Sequence, residues 1–302
     1  MQTRAKNVKP FVKWAGGKGQ LLQQYRELYP SELKNGKIKT YIEPFVGGGA
    51  VLFDIMQNYH LENIIINDIN KELMNTYRCI KSNVERLIDS LSKVQDEYLA
   101  LSKDDRKSFY YMIRSRYNSI MLNNHIDIEK AVDFIFLNRT CFNSLYRVNM
   151  NGKFNVPIGR YKNPLICDAE NLRNLNIILK DVLIMQGDYS NCFRYIDGNT
   201  FIFLDPPYRA LNSTAEFNFY SMLRFRDREQ IELAKYCKQV SSSEVYLMIS
   251  NSDPKNANPQ DYFFDELYME FNINRIQAKR VINSKSELRS TSVSELLITN
   301  YK

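Results

Sequence analysis

Residues 201–204, Phe-Ile-Phe-Leu, form an unbroken apolar run that stops at Asp205-Pro206-Pro207-Tyr208. A strand-length run with no polar alternation belongs in a sheet covered on both faces, the situation of parallel strands in α/β proteins. Such sheets deliver their loops to the strand carboxyl ends, where ligands bind. The two prolines remove two backbone donors and stiffen the exit. A carboxylate, free carbonyls and an aromatic face are thereby held in a rigid arc. That set suits an aromatic amine, whose two N–H groups find acceptors while its ring stacks on the tyrosine. Asp-Pro-Pro is also ordinary turn chemistry, so the tetrapeptide alone leaves both readings open. The strand in front of it favours the functional one.

An α/β rhythm surrounds this feature. Lys39–Glu43 reads as a short strand, followed by Pro44, the turn Gly47-Gly48-Gly49 and a helix over Ala50–Tyr59. Asn63–Asn67 reads as a buried parallel strand that ends at Asp68, with a helix from Lys71. Later, Val182–Gln186 leads to Gly187-Asp188-Tyr189, Arg228–Val240 reads as a helix, and Glu244–Ser250 and Glu295–Tyr301 read as strands. Between about Thr76 and Cys167 the character changes. Val84–Leu101 and Asp127–Asn138 have helical spacing, and Phe142–Tyr161 is rich in Asn and Gly. Asn149-Met150-Asn151-Gly152 predicts a hairpin tip in which Asn-Gly supplies the positive φ angles. The expected fold class is α/β. One sheet domain spans 1–75 and 168–302, and a mainly helical insertion over 76–167 carries a β-hairpin.

Charge points to the partner. The formal net charge of the chain is +7. Residues 1–40 hold nine Lys/Arg against Glu27 and Glu32, and residues 138–162 hold Arg139, Arg147, Lys153, Arg160 and Lys162 with no acid. Concentrated basic stretches suit a polyanion, although a solvated basic surface would look the same. The five cysteines are scattered without a CxxC pair and only two histidines exist. Neither a zinc site nor a disulfide framework is expected. No apolar run approaches the length of a membrane span, and Met1–Pro10 lacks the apolar core of a secretory signal, so a cytoplasmic location is expected.

Two further segments carry chemistry. Glu43-Pro44-Phe45-Val46-Gly47-Gly48-Gly49 lies between a strand and a helix, where glycines admit a ligand close to the backbone. It does not match GxGxxG, which disfavours a dehydrogenase, and it lacks the Lys-[Ser/Thr] of a phosphate-binding loop. Asp68 ends the next strand, where an acid accepts hydrogen bonds from ribose hydroxyls. Together these fit an adenosine-containing cofactor without a pyrophosphate. Phe11-Val12-Lys13-Trp14-Ala15-Gly16-Gly17-Lys18 holds the only tryptophan between two lysines. Lys18 suits a carboxylate as a point charge, and Trp14 reads equally well as a core anchor.

The order of these segments, with Asn67-Asp68-Ile69-Asn70, Gly187-Asp188-Tyr189 and Ser294–Tyr301, resembles the Dam-type, D12-class adenine-specific DNA methyltransferases over nearly the whole chain. Asn138–Arg147 and Phe154–Tyr161 are similar to the recognition hairpin of members that methylate GATC. The resemblance implies a Rossmann-like methyltransferase sheet and S-adenosylmethionine as methyl donor, with S-adenosylhomocysteine as product and no metal. It implies Asp205, Pro206 and Tyr208 as the catalytic group. Trp14 and Lys18 would bind the methionine end of the cofactor. Phe45, Gly47 and Gly49 would shape its pocket, Asp68 would bind the ribose, and Asp188 with the Tyr189 backbone the adenine. On double-stranded DNA, Lys13 would contact the first guanine and Arg147 a guanine near the other end. Phe142 and Asn143 would fill the space of the extruded adenine. Leu145 would contact bases, Tyr161 would support a phosphate or flanking contact, and Pro157 belongs to the same DNA-binding set. Phe142 stands where tyrosine is common, Ser144 where glycine is common and Tyr189 where phenylalanine is common. One molecule with one base pocket is enough for this chemistry, so a monomer is expected, and a cognate restriction endonuclease acting on the same site is a partner the resemblance allows. Three alternatives remain at this level: another GAT-containing site, an RNA or protein amide as acceptor, and a catalytically silent DNA-binding regulator.

Overall fold

The computed structural model describes residues 7–14, 16–122, 125–211, 225–241, 244–279 and 292–302. Ala15 of the Phe11–Lys18 segment and residues 1–6 of the amino terminus lie outside these. Within them the chain folds around a seven-stranded sheet: β1 (Thr40–Glu43), β2 (Asn63–Ile66), β3 (Leu183–Ile184), β4 (Thr200–Leu204), β5 (Val245–Ser252), β6 (Asn272–Lys279) and β7 (Ser292–Thr299). The spatial order is β3-β2-β1-β4-β5-β7-β6. The first five neighbours are parallel, and β7 runs antiparallel between β5 and β6. This is the Rossmann-like methyltransferase arrangement expected from the sequence.

The apolar runs are continuous because both faces are covered. On one face Tyr41, Phe201 and Phe203 join α1 (Leu22–Leu28), α2 (Ser31–Lys34) and α3 (Ala50–Asn58) in one core. On the other, Ile42, Ile202 and Leu204 meet Leu233, Ala234 and Cys237 on a helix over Asp227–Val240. Side chains alternate across the pleat, so consecutive residues of β4 feed opposite cores.

The middle of the chain is helical. It comprises α4 (Lys71–Ser82), α5 (Val84–Ala100), α6 (Lys103–Ser119), α7 (Ile128–Thr140) and α8 (Ala169–Leu179). Asn70, Ser102, Asp127 and Asp168 cap α4, α6, α7 and α8 through their side chains. Helix α7, almost wholly buried, packs on α4, α5 and α6. The last two helices are α9 (Asp227–Val240) and α10 (Phe263–Leu267).

After α7 the chain makes the expected hairpin, bridged at Val148–Phe154 and Cys141–Ile158. Tyr146, Val148, Phe154 and Val156 face inward while Arg147 and Pro157 face solvent. The tip differs from expectation in one respect. Only Gly152 adopts a positive φ (71°), and Asn151 does not. The Asn149 side chain instead accepts the N–H groups of Asn151 and Lys153, which shapes a longer turn. The strand expected over Val182–Gln186 shrinks to Leu183–Ile184 at the sheet edge. All five cysteines are buried and unpaired. No described helix is long and apolar enough to cross a membrane.

Candidate active site

The strand order reverses between β1 and β4, and the loops leaving β1, β2, β3 and β4 emerge at one edge of the sheet. They enclose a cavity of about 650 Å³. Its wall includes ten of the sequence-predicted residues: Trp14, Lys18, Phe45, Gly47, Asp68, Asp188, Tyr189, Asp205, Pro206 and Tyr208. Gly49 does not line it. It sits behind, in a left-handed conformation as the N-cap of α3.

The glycine turn is held from three sides. Gly47 N–H donates to Asp68 Oδ2 at 3.1 Å, its carbonyl accepts from the Tyr77 hydroxyl at 3.1 Å, and Trp14 covers it. A Cβ at Gly47 would lie 2.8 Å from Trp14 Cδ1, and its φ is +48°. Close approach and conformation both demand glycine here. Asp68 also accepts from Asn70 N–H at 2.9 Å. It is open to the cavity and otherwise enclosed by protein, and burial pushes its carboxyl up to about 6. Phe45, Tyr189 and Phe225 form an aromatic wall, with ring centroids 5.3 Å apart for Phe45–Tyr189 and 5.9 Å for Phe45–Phe225. The Asp188 carboxylate accepts the Ser190 N–H at 2.9 Å and caps the turn that follows β3. Beneath the cavity Glu43 is fully buried, takes the Tyr41 hydroxyl at 2.7 Å, and is driven well above the usual carboxylate range by burial.

The loop after β4 is gripped as tightly. Lys18 Nζ lies 2.9 Å from Asp205 Oδ1 and 2.7 Å from the Gly16 carbonyl. The Ser250 hydroxyl donates to the same Asp205 oxygen. Tyr208 donates to Glu295 Oε2 at 2.8 Å, so its hydroxyl is anchored to β7. Gln230 of α9 donates to the Pro207 carbonyl at 3.0 Å and accepts from Asn251 Nδ2 at 3.1 Å. Of these supports only Lys18 was singled out from the sequence, for a cofactor carboxylate and not for Asp205; Ser250, Glu295, Gln230, Asn251 and Phe225 were not.

The DNA-binding candidates gather at the neighbouring surface. Phe142, Asn143, Arg147 and Pro157 are exposed, and Leu145 and Tyr161 are partly so. Lys13 Nζ lies 5.7 Å from the centre of the Tyr161 ring. Asn143 and Ser144 both take φ 53°, a left-handed conformation that the glycine expected at 144 from the resemblance would adopt without strain. Ser144 is stabilised there by its hydroxyl, 3.1 Å from that of Tyr161. Two stacked rings, Trp14 and Tyr146 with centroids 5.3 Å apart, join the segment leading to Lys18 to the hairpin base.

The segment leading to Lys13 is held by paired amides. Asn171 of α8 takes the Lys9 N–H at 3.0 Å and donates to the Lys9 carbonyl at 2.9 Å. Asn138 of α7 does the same at Lys13, 2.9 Å each way, and also donates to the Ser144 carbonyl at 3.2 Å. One buried amide therefore ties Lys13 to the Phe142–Ser144 turn.

A family model described as D12 class N6 adenine-specific DNA methyltransferase matches residues 14–282. The chain belongs to that family. It is 49% identical to the type II methyltransferase M.MjaIII of Methanocaldococcus jannaschii over 294 residues, 97% of this chain and 99% of the relative. It is 36% identical to the type II methyltransferase M1.LlaDCHI of Lactococcus lactis subsp. cremoris, covering 100% of this chain and 98% of the relative. With a DNA adenine methylase of Haemophilus influenzae the identity is 31%, covering 96% of this chain and 92% of the relative. This D12-class methyltransferase is thus an adenine-specific DNA-modifying enzyme, and its family implies S-adenosylmethionine as methyl donor.

Proposed function

We propose that the protein methylates the exocyclic amine of adenine within GATC in double-stranded DNA, acting on a base rotated out of the helix. The observation that carries this reading is that Asp205–Tyr208 and the Gly47–Asp68 side open onto one cavity. An acceptor base and a methyl donor held there would be neighbours. Proximity and fixed polar groups are then sufficient catalysis, with no covalent enzyme intermediate.

The residues of the cavity fit S-adenosylmethionine. Gly47 lines the cavity, its Cβ side taken up by Trp14, and Asp68 beside it offers ribose hydroxyls a carboxylate. The aromatic wall of Phe45, Tyr189 and Phe225 suits an adenine ring, with Asp188 and the Tyr189 backbone as its polar partners. Trp14 and Lys18 would face the methionine end. When bound, the donor supplies an electrophilic methyl group on a sulfonium.

The protein's own part is positioning. Unstacking an adenine costs a few kcal/mol. Stacking on Tyr208, its hydroxyl anchored on Glu295, returns about 1–3 kcal/mol. The amine is a weak nucleophile because its lone pair is delocalised into the ring. Asp205 and the Pro206 carbonyl, accepting its two hydrogens, draw the nitrogen toward tetrahedral geometry. Lys13, Leu145, Arg147, Pro157 and Tyr161 would hold the duplex, while Phe142 and Asn143 would occupy the vacated space. In this reading residues 76–167 recognise the target and residues 1–75 and 168–302 carry the chemistry, in a monomer working in the cytoplasm. A restriction endonuclease cutting the same site would be its counterpart in a type II pair.

Methylating a random duplex pool with purified protein and mapping modified bases tests this reading. Modified adenine confined to GATC supports it, and adenine modified in another GAT-containing context replaces the site.

A further inference from the structure

A second cavity, of about 430 Å³, lies beside the first and plays no part in the proposed chemistry. Lys71, Asn75 and Arg78 of α4 line it, spaced to share one helix face, and Gln186 lines it from the loop after β3. Among the described residues no Asp or Glu lines it. The Asn75 side chain is committed, donating to the Asp127 carbonyl at 2.7 Å and accepting the Asp127 N–H at 2.9 Å, which fixes that wall. Arg78 is half-buried and donates to the Ile184 carbonyl over a long 3.5 Å. Burial lowers its pKa with no carboxylate opposing. Lys71, exposed at the rim, makes no ion pair among the described residues.

A partly desolvated guanidinium and an ammonium two helical turns away on the same wall, with no acid among the described residues lining the site, call for an anion. Phosphate is the group that such a pair holds well, the guanidinium by its fork and the ammonium as a point charge. The location favours a polymer phosphate. Asn70, which caps α4 next to Lys71, lines the larger cavity, and its side chain meets Tyr146 at the base of the hairpin. We propose that this basic cavity is a phosphate site that takes a backbone phosphate of the DNA duplex outside the bases reached by the hairpin.

The proposal rests on duplex DNA being the substrate. Lys71→Gln and Arg78→Gln would be compared with wild type by fluorescence polarisation on labelled duplexes with and without GATC, between about 50 and 200 mM salt. Each variant should weaken binding to both duplexes by the same factor. The slope of log affinity against log salt should become shallower by about 0.9, the value for one phosphate no longer neutralised. S-adenosylmethionine affinity and turnover at saturating duplex should stay at wild-type values. Titration of inorganic phosphate against the protein alone, by calorimetry, separates the sources. If phosphate binds wild type but neither variant while duplex binding and salt slope are unchanged, the site is a phosphate site and its DNA assignment is overturned. If both measurements match wild type, the proposal is overturned entirely. Lys71→Gln removes an exposed side chain and decides the matter should Arg78→Gln fail to fold. Should wild type bind no duplex, the proposed function fails while the phosphate titration still decides the site.

Discussion

Lys18 Nζ lies 2.9 Å from Asp205 Oδ1, and the same ammonium sits 4.6 Å from the centre of the Tyr208 ring. Lys18 is almost fully buried, with 4% of its surface exposed. One cation therefore orders both the carboxylate and the aromatic face of the proposed base clamp. Lys18→Met leaves Asp205 beside Ser250 without a countercharge. Breaking such a buried pair should cost on the order of 3 kcal/mol of stability. Turnover should fall more than duplex affinity does. Chemical denaturation together with single-turnover kinetics checks both, and a variant as stable and active as wild type would strip the ion pair of this role.

The Asp68 carboxyl titrates near 6 because burial disfavours its charge. Its folded-state pKa lies above the unfolded one, so this group makes the cofactor-free protein gain stability as pH falls from about 7 toward 5. Cofactor binding should move the opposite way, since ribose hydroxyls need the ionised acceptor. S-adenosylmethionine affinity is expected to drop as pH falls through about 6. Asp68→Asn should bind weakly with a nearly flat profile over the same range. Calorimetric titrations at several pH values measure this directly.

Arg147 is exposed on the outer face of the hairpin, its Nε donating to Asn155 Oδ1 at 2.9 Å. That bond orients the guanidinium while leaving its other donors for a base edge. Arg147→Ala should relax selectivity at one guanine by about 1–3 kcal/mol, the scale of a bidentate base contact. Methylation rates on duplexes substituted at each position of the site check this. A uniform loss on all duplexes would mark the residue as a phosphate contact instead.

Asn138 spends its amide on Lys13 and Ser144, so it should position the reading residues without touching the duplex. Asn138→Ala leaves buried backbone groups unpaired, at about 1–3 kcal/mol of stability. Beyond that, KM for duplex should rise and discrimination among sites should fall, while kcat at saturation changes less. Equal losses of kcat and KM performance on all sites would reduce the residue to a structural one.

What the sequence reveals depends on where the information sits. Thr200–Leu204 and Asp205–Tyr208 are readable because a doubly buried strand is apolar throughout and its exit loop is chemically conspicuous. Lys71 as a helix start is readable from the change of pattern after Asp68. Strand β6, Asn-Ile-Asn-Arg-Ile-Gln-Ala-Lys, escapes sequence reading because an edge strand needs no apolar run. Helix α6 escapes it because charged residues dilute the spacing of Phe109, Tyr110, Ile113 and Tyr117. The loops carrying Lys18, Asp68 and Asp205 are recognisable singly, but their convergence depends on sheet order. Ser250, Glu295 and Asn138 carry no signal of their own. A polar residue on a strand or buried helix reveals its partner only when the fold brings that partner close.

The clamp itself is tested most directly by Asp205→Ala, assayed for methyl transfer from labelled S-adenosylmethionine to a GATC duplex, with duplex and cofactor affinities measured on the same preparation. Transfer should fall by at least about 10²-fold, the scale for losing one preorganised polar group, while both affinities persist. Wild-type turnover in that variant would contradict the clamp.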